Sequence, residues 1–227
     1  MQPYFFPYLG YFSLIDASDL WVVFDDVQFI RHGWIDRNRI IDSSFKPTYI
    51  RPSIIKSSRG TKINEVYLNN SIDWKSKIFA QLTSYKKRAP YYSQVIDLLN
   101  CVFSKDFNKI SDLNVFIIVE VCNYLGIPFN YKIYSELNLN IDHLIKHSGQ
   151  WALEITKCLG ASTYINPLGG RELFENKEFQ NNSIELLFLE NNLSFYNQKI
   201  NSFEKGLSII DVLMYNSIDE TKTLVEN

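Results

Sequence analysis

Cysteine is scarce in this chain of 227 residues, which contains only Cys101, Cys122 and Cys158. Their number is odd, they lie far apart, and none belongs to a C-x-x-C motif. This pattern argues against a disulfide framework and against a zinc site built on cysteine pairs. We therefore interpret all three as reduced thiols packed within the fold.

An excess of positive charge is also missing, because 23 Lys and Arg residues stand against 25 Asp and Glu residues, with a formal net charge of −2. Without an overall basic field, the chain has no general means of collecting nucleic acid, which is therefore not expected as the main partner. Any recognition of phosphate must come from a local cluster of basic side chains.

Long apolar runs are absent as well. No stretch approaches the roughly 20 apolar residues that a membrane-spanning helix needs, and no basic segment followed by an apolar signal core opens the chain. We expect a cytoplasmic protein without membrane insertion. The content of 46% hydrophobic residues is enough for a sizeable core. Since no low-complexity linker interrupts the chain, we predict one compact domain over residues 1–227.

Strand-like and helical segments alternate along the chain. The segment LWVVFDDVQF is typical of a buried strand, and it runs into Asp25 and Asp26, at the end of a strand where ligand sites of α/β sheets lie. From about residue 71 to about 125, apolar residues recur at helical spacing between capping residues and Gly126. We predict an α/β fold with a mostly parallel central sheet flanked by helices, and with this helical portion inserted in the middle.

Two polar clusters in the first forty residues contain candidate catalytic or ligand-binding side chains. Asp25 and Asp26 adjoin, so in a strand they point to opposite faces and only one can address a given ligand, as a general base or a ligand for an amine or a metal. A solvated strand end is the alternative. Arg37 and Arg39 flank Asn38 and could form a guanidinium fork for a diphosphate, with a salt-bridged surface as the alternative.

Two further segments are candidates in the second half of the chain. The stretch NPLGG ends in Gly169 and Gly170, whose backbone N–H groups could approach an anion, although it matches no established phosphate-binding pattern. His143 and His147 are four residues apart, but no third ligand lies nearby, so no metal site is predicted. We interpret His147 as a candidate for hydrogen bonding to a substrate, with capping or packing as the alternative.

Four blocks, in this order, resemble the signature of the WbqC-like family, which occurs in bacterial gene clusters for O-antigen and other surface polysaccharides. They are MQPYFFPYLGYFSLI, VVFDDVQFIRHGWIDRNRI, YINPLGGRELF and LSIIDVLMYNS. The resemblance extends over nearly the whole chain. It implies a transferase that adds glycine, or another small acyl group, to the amine of a nucleotide-linked amino sugar.

The residues of these blocks imply the following site. Its catalytic residues would be Asp26, Asp25 and His147, and its substrate-binding residues Gln2, Tyr4, Tyr8, Gln28, Arg37, Asn38, Arg39, Asn166, Gly169, Gly170 and Glu172. One of the aspartates would orient the attacking amine and accept its proton, and the NPLGG backbone would stabilise the oxyanion. No particular cofactor is predicted, because the acyl donor could be a thioester, a charged tRNA or an adenylate made from ATP.

Two other functions remain open. The same arginines and aromatic residues would serve a sugar-nucleotide-binding or assembly protein without chemistry of its own. The opening of the chain also resembles, at the level of fold, that of an ATP-dependent nucleotidyltransferase, but Tyr11 stands where those enzymes have an essential histidine.

The aromatic residues at the start of the chain are explained separately. Members of the WbqC-like family typically carry a few apolar residues before the Gln-Pro-Tyr, whereas this chain begins at Met1. We therefore interpret the opening as the end of a truncated or shortened strand that leads into a turn, and we expect its aromatic side chains to be buried.

Overall fold

The computed structural model describes residues 1–190, 193 and 195–226 and contains both helices and strands. The helices are α1 (Leu9–Asp16), α2 (Trp74–Leu82), α3 (Tyr92–Phe103), α4 (Ile110–Leu125), α5 (Gln150–Cys158), α6 (Asn176–Asn181), α7 (Ile209–Tyr215) and α8 (Ile218–Glu226). The strands are β1 (Trp21–Val23), β2 (Asn38–Ile41), β3 (Pro47–Ile50), β4 (Tyr131–Ile133), β5 (Thr163–Pro167) and β6 (Glu185–Leu189). The predicted α/β class is confirmed. Among the described residues, no helix combines the length and apolar character needed to cross a membrane.

The chain divides into two compact units. The first consists of Met1–Ser135 and Leu193–Asn227, and the second of Glu136–Asn192. The expectation of one domain over residues 1–227 stays a prediction.

The strands pair in three two-stranded sheets within the described residues. β1 pairs with β4, and β5 with β6, both in parallel. β2 and β3 form an antiparallel hairpin in which Arg39 lies opposite Tyr49. The parallel pairing of these strands agrees with the prediction of mostly parallel strands. β3 ends two residues before Pro52, as expected because proline cannot donate a backbone hydrogen bond to a neighbouring strand.

The helical portion expected at about residues 71–125 is present as α2, α3 and α4. Asp73 caps α2 by accepting a hydrogen bond from Ser76 N at 3.0 Å. α4 ends at Gly126, which adopts the left-handed conformation with φ of 66°. That conformation favours glycine because it has no Cβ. Capping residues and the helical spacing of apolar residues therefore predicted these helices correctly.

The aromatic opening of the chain is buried, as predicted. Phe5, Phe6, Tyr11 and Phe12 are each fully excluded from solvent. The backbone of Met1 lies beside β1, since Met1 N donates to Val22 O at 2.8 Å and Met1 O accepts from Phe24 N at 2.8 Å. This is the hydrogen-bond pattern of a parallel neighbour, and it supports the interpretation of the opening as a strand end that leads into a turn.

Two buried amide side chains hold this opening in place. Asn38 Nδ2 donates to the carbonyl oxygens of Phe5 at 3.1 Å and Phe6 at 2.7 Å. Asn114 Nδ2, from α4, donates to Pro3 O and Ile35 O, both at 2.9 Å. The turn is an irregular segment, and these amides, together with Ser208 Oγ, which donates to Phe6 O at 2.9 Å, satisfy carbonyl groups that no strand partner reaches.

The second unit has its own small core. Leu153 of α5, Phe179 of α6 and Ile184 are buried together, and the half-buried rings of Tyr164 and Phe174 pack against them. β5 and β6 lie in this unit. The core thereby places helices against a parallel pair of strands.

Replacing Asn38 with alanine should lower the free energy of unfolding by roughly 1–3 kcal/mol, because the buried Phe5 carbonyl group loses its donor. The Phe6 carbonyl group keeps the hydrogen bond from Ser208 Oγ at 2.9 Å. Urea denaturation followed by circular dichroism measures the change. Asn100→Ala is the matched control, since Asn100 is exposed on α3 and its loss should cost less than about 0.5 kcal/mol. Equal destabilisation by the two substitutions would contradict the assigned role of Asn38.

Candidate functional site

Asp25 links the carboxyl ends of the parallel strands β1 and β4. It lies two residues after β1 and is 2% exposed. Its Oδ1 accepts a hydrogen bond from Ser135 N at 3.0 Å, and its Oδ2 accepts one from Ser135 Oγ at 2.7 Å. Ser135 follows β4 by the same interval, so both carboxylate oxygens of Asp25 are engaged in holding the two strand ends together.

Asp26 has a different environment, as expected for adjacent residues at the end of a strand. Its Oδ2 lies 2.8 Å from Lys62 Nζ, and its Oδ1 accepts from Asn64 Nδ2 at 3.2 Å. The Asp26 side chain is 29% exposed. Of the two neighbouring aspartates, Asp26 is the one that can address a ligand. Gln28, also predicted to bind substrate, is exposed and forms an isolated antiparallel bridge with Lys62.

Arg39 is held by a distant part of the chain. Its Nη1 lies 2.9 Å from Glu204 Oε1, and its Nη2 donates to Lys205 O at 3.1 Å. The guanidinium also lies over the ring of Trp34, with 5.9 Å between Cζ and the ring centroid. Both terminal nitrogens of Arg39 are therefore engaged within the first unit, while its Nε is buried without an acceptor among the described residues.

Arg37 has no such partner. Its Cζ lies 4.0 Å from the ring centroid of Tyr49, which is a close cation–π contact. Its Nε is buried without a hydrogen-bond acceptor, and no carboxylate of the described residues forms an ion pair with it. The two arginines that the sequence grouped as one fork thus have unlike surroundings.

Asp36, beside Arg37, was missed by sequence reasoning. It is 6% exposed, and its Oδ1 is buried with no partner among the described residues. Burial raises the pKa of this carboxyl, although the backbone N–H groups of His32 and Asp36 and the charges of His32 and Arg37 act in the opposite direction. Its position directly before Arg37 was the only signal in the sequence.

The polar side chains of the aromatic opening are half-buried. Burial raises the pKa of Tyr4, and the nearby Tyr8 raises it further. Burial also raises the pKa of Tyr8. Both phenols therefore stay protonated near neutral pH and can donate hydrogen bonds. Gln2 is half-buried, and its carbonyl oxygen accepts from Tyr11 Oη at 3.0 Å. The amide of Asn38 is engaged by the backbone, as described above.

In the second unit, His147 is oriented by a carboxylate. His147 Nε2 lies 3.1 Å from Glu178 Oε2, and the other carboxylate oxygen accepts from Gln150 Nε2 at 2.7 Å. Burial acts to raise the pKa of Glu178, but the hydrogen bonds from Gln150 and His147 and the charges of His147 and Lys146 hold it below its usual value. With Nε2 engaged, Nδ1 is the ring nitrogen left for a ligand.

His143 does not share a helical face with His147. It lies in the short 3-10 turn Asp142–Leu144, and α5 begins only at Gln150. Within the described part of the chain, no group of three or more His, Cys, Asp or Glu side chains is arranged to hold a metal ion.

The NPLGG stretch runs from the end of β5 into the 3-10 helix Leu168–Leu173. Asn166 is 7% exposed, and its Oδ1 accepts from Tyr164 Oη at 3.0 Å. A Cβ on Gly170 would lie 2.4 Å from Asn166 Nδ2, whereas a Cβ on Gly169 would meet open space. Glu172 is exposed. Gly169 is therefore open to solvent, whereas Gly170 packs against the Asn166 amide.

A close backbone contact joins this helix to the segment before α5. A Cβ on Gly149 would lie 2.0 Å from Leu173 O, so only glycine fits there. His147, two residues earlier, is thereby brought near the end of the turn that carries Gly169 and Gly170.

The predicted site residues fall into two groups, one in each unit. The first unit holds Gln2, Tyr4, Tyr8, Asp25, Asp26, Gln28, Arg37, Asn38 and Arg39, and the second holds His147, Asn166, Gly169, Gly170 and Glu172. A single pocket shared by Asp26 and Gly169 stays a prediction.

Comparison with known proteins identifies the family. The model of the WbqC-like protein family matches residues 2–223, and the chain therefore belongs to this family. It is also 24% identical over 221 residues to uncharacterized protein Rv1507c of Mycobacterium tuberculosis, with 94% of this chain and 90% of that protein covered. No solved structure matches the chain significantly.

The contacts of Glu178 should make the stability of the protein depend on pH. A carboxyl whose pKa is lower in the folded state stabilises the fold above its unfolded pKa of about 4.3, and this contribution is lost as the pH falls through the folded pKa. Glu178→Gln should therefore be less stable than the wild type at pH 7, by up to about 1 kcal/mol for a partly exposed pair. The difference should shrink as the pH falls to about 3.

Urea titrations at several pH values measure this difference. Glu172→Gln is the control for loss of one negative charge, because Glu172 is exposed in the same unit. A similar effect of both substitutions would assign the change to net charge and not to the contacts with His147 and Gln150.

Proposed function

We propose that this member of the WbqC-like family transfers glycine, or another small acyl group, to the amine of a nucleotide-linked amino sugar during the biosynthesis of O-antigen or a related surface polysaccharide. Family membership supports the setting. The observation that carries the choice of substrate is the half-buried guanidinium of Arg37, which lies on Tyr49 without an acceptor among the described residues.

An arginine in this state favours an anionic ligand. Burying a charged donor without a partner costs more than one ordinary hydrogen bond contributes, so a ligand that supplies acceptors recovers that cost on binding. A diphosphate offers several oxygens to the planar guanidinium fork. Arg39 would add only the N–H groups that Glu204 and Lys205 leave free. Tyr4 and Tyr8, as protonated phenols, would lie along the sugar.

The amine of the acceptor requires a carboxylate. An attacking amine has to lose a proton, and Asp26 would orient this amine and accept the proton once it exchanges Lys62 or Asn64 for the ligand. Asp25 would take part only on releasing Ser135. In the second unit, His147 would take part in proton transfer, and the N–H groups of Gly169 and Gly170 would stabilise an oxyanion.

A mass-spectrometric product screen tests the proposal. The full chain is incubated with uridine- and thymidine-diphosphate amino sugars, glycine and ATP, and in parallel with glycyl thioester and glycyl-tRNA as donors. A nucleotide sugar heavier by one glycyl group is the expected product. Binding of the nucleotide sugars without product from any donor would instead favour the binding or assembly protein, and release of pyrophosphate from ATP with transfer of the nucleotidyl group would favour the nucleotidyltransferase.

Asp26→Asn separates a transferase from a binding protein. A transferase should lose roughly 100-fold or more of its rate of product formation, since that is the usual contribution of a general base, while the affinity for the nucleotide sugar is retained. Asp106→Asn is a matched control because Asp106 is also an aspartate in an ion pair with a lysine, at 3.0 Å from Lys75. If Asp26→Asn is as active as this control, Asp26 is not the proton acceptor.

Arg37→Lys tests the diphosphate. Lysine keeps the charge but not the planar fork, so the affinity for the nucleotide sugar should fall by roughly 1–3 kcal/mol with little change in the melting temperature. Calorimetric titrations and thermal melts provide the two readouts, with exposed Arg59→Lys as the control. Unchanged affinity together with a lowered melting temperature would show that Arg37 is structural.

A further inference from the structure

The hairpin of β2 and β3 places an additional arginine beside Arg37. The pairing runs from Ile41 opposite Pro47 to Asn38 opposite Ile50. Continued by one residue, this register sets Arg51 opposite Arg37. Arg51 precedes a proline, which keeps it in an extended conformation. Arg37 and Arg51 are therefore the residues that directly adjoin the last pair of the hairpin, one on each strand.

Arg37, Arg51 and Tyr49 lie on one face of the hairpin. Side chains two residues apart in a strand share a face, and directly opposed residues do as well. The contact of 4.0 Å between Arg37 and the ring of Tyr49 agrees with this placement. The opposite face carries Asn38 and Ile50, which are 2% and 0% exposed. The face with the arginines therefore points away from the core.

Two opposed arginines repel each other. Their Cβ atoms would lie roughly 5 Å apart, a distance at which like charges destabilise a strand pair. Arg51 is exposed, and among the described residues neither Arg37 nor Arg51 forms an ion pair with a carboxylate. A bound dianion would turn this repulsion into two attractions.

Tyr49 supplies a flat apolar surface next to these charges. Arg37 covers part of the ring, yet the residue remains 42% exposed. Its backbone is fixed by the pairing with Arg39 and by the hydrogen bond that Tyr49 O accepts from Gln81 Nε2 at 3.1 Å. A rigid, exposed aromatic ring beside cationic groups suits a planar base attached to phosphates.

We propose that Arg37, Arg51 and Tyr49 form the subsite for the nucleoside diphosphate, with the two guanidiniums on the phosphates and the Tyr49 ring stacked on the base. This inference rests on the proposed function and specifies which residues recognise the nucleotide part of its substrate. Arg51 thereby takes the place beside Arg37 that the sequence assigned to Arg39, whose guanidinium is engaged by Glu204 and Lys205.

Calorimetric titrations of the full chain with UDP, inorganic pyrophosphate and uridine test the subsite. Arg51→Gln should weaken UDP and pyrophosphate alike, by roughly tenfold to a hundredfold, as for loss of a charge-assisted hydrogen bond. Tyr49→Leu should weaken UDP by roughly tenfold through loss of stacking, and leave pyrophosphate within about twofold. Arg59→Gln is the control for a lost surface charge, and thermal melts confirm that each variant is folded.

The outcomes separate this inference from the proposed function. If Arg37→Lys weakens UDP while Arg51→Gln and Tyr49→Leu bind it like the wild type, the subsite is wrong and the diphosphate proposal stands. If wild-type protein binds none of the three probes but forms the glycylated product from a nucleotide sugar, the nucleotide subsite is wrong and the transfer stands. If neither binding nor product is observed, both proposals fail.

Discussion

The hydrogen bonds from Asn38 to the carbonyl groups of Phe5 and Phe6 are the constraint on which the first unit depends. They join the buried opening of the chain to the first residue of β2, so the position of one fixes the other. Asn38 is flanked by Arg37 and Arg39, and its inward side chain obliges its neighbours to point the other way because strand side chains alternate. A structural amide thus sets the direction of the Arg37 guanidinium, which the proposed nucleotide site uses.

A buried polar side chain has the same effect at the ends of β1 and β4. Asp25 is satisfied by Ser135, so this pair holds the strand ends, and the next residue, Asp26, is left at the surface with Lys62 and Asn64. In both places a buried polar side chain with all its partners stands beside a partly exposed charged one. Buried networks specify geometry when they are satisfied, and the adjacent charged group is then free to exchange partners with a ligand.

Local features could be predicted from the sequence and distant partners could not. Helical spacing and caps located α2, α3 and α4, Pro52 marked the end of β3, and the density of aromatic residues revealed the buried opening. In contrast, the ion pair of Arg39 with Glu204 joins residues 165 apart, and the one of Asp26 with Lys62 joins residues 36 apart. A single sequence contains no pattern that shows which carboxylate forms an ion pair with which lysine or arginine. For the same reason the burial of Asp36 could not be predicted, and the placement of Arg51 beside Arg37 required the strand register.

The contact between Gly149 and Leu173 limits how the second unit can change over generations. Every other amino acid carries a Cβ that would overlap the carbonyl oxygen of Leu173, so a missense change in this codon cannot be absorbed by a new rotamer and has to displace backbone. The turn with Gly169 and Gly170 would move with it. Related sequences are thus expected to keep glycine at position 149. A different residue there should be accompanied by a compensating change in the turn that faces it.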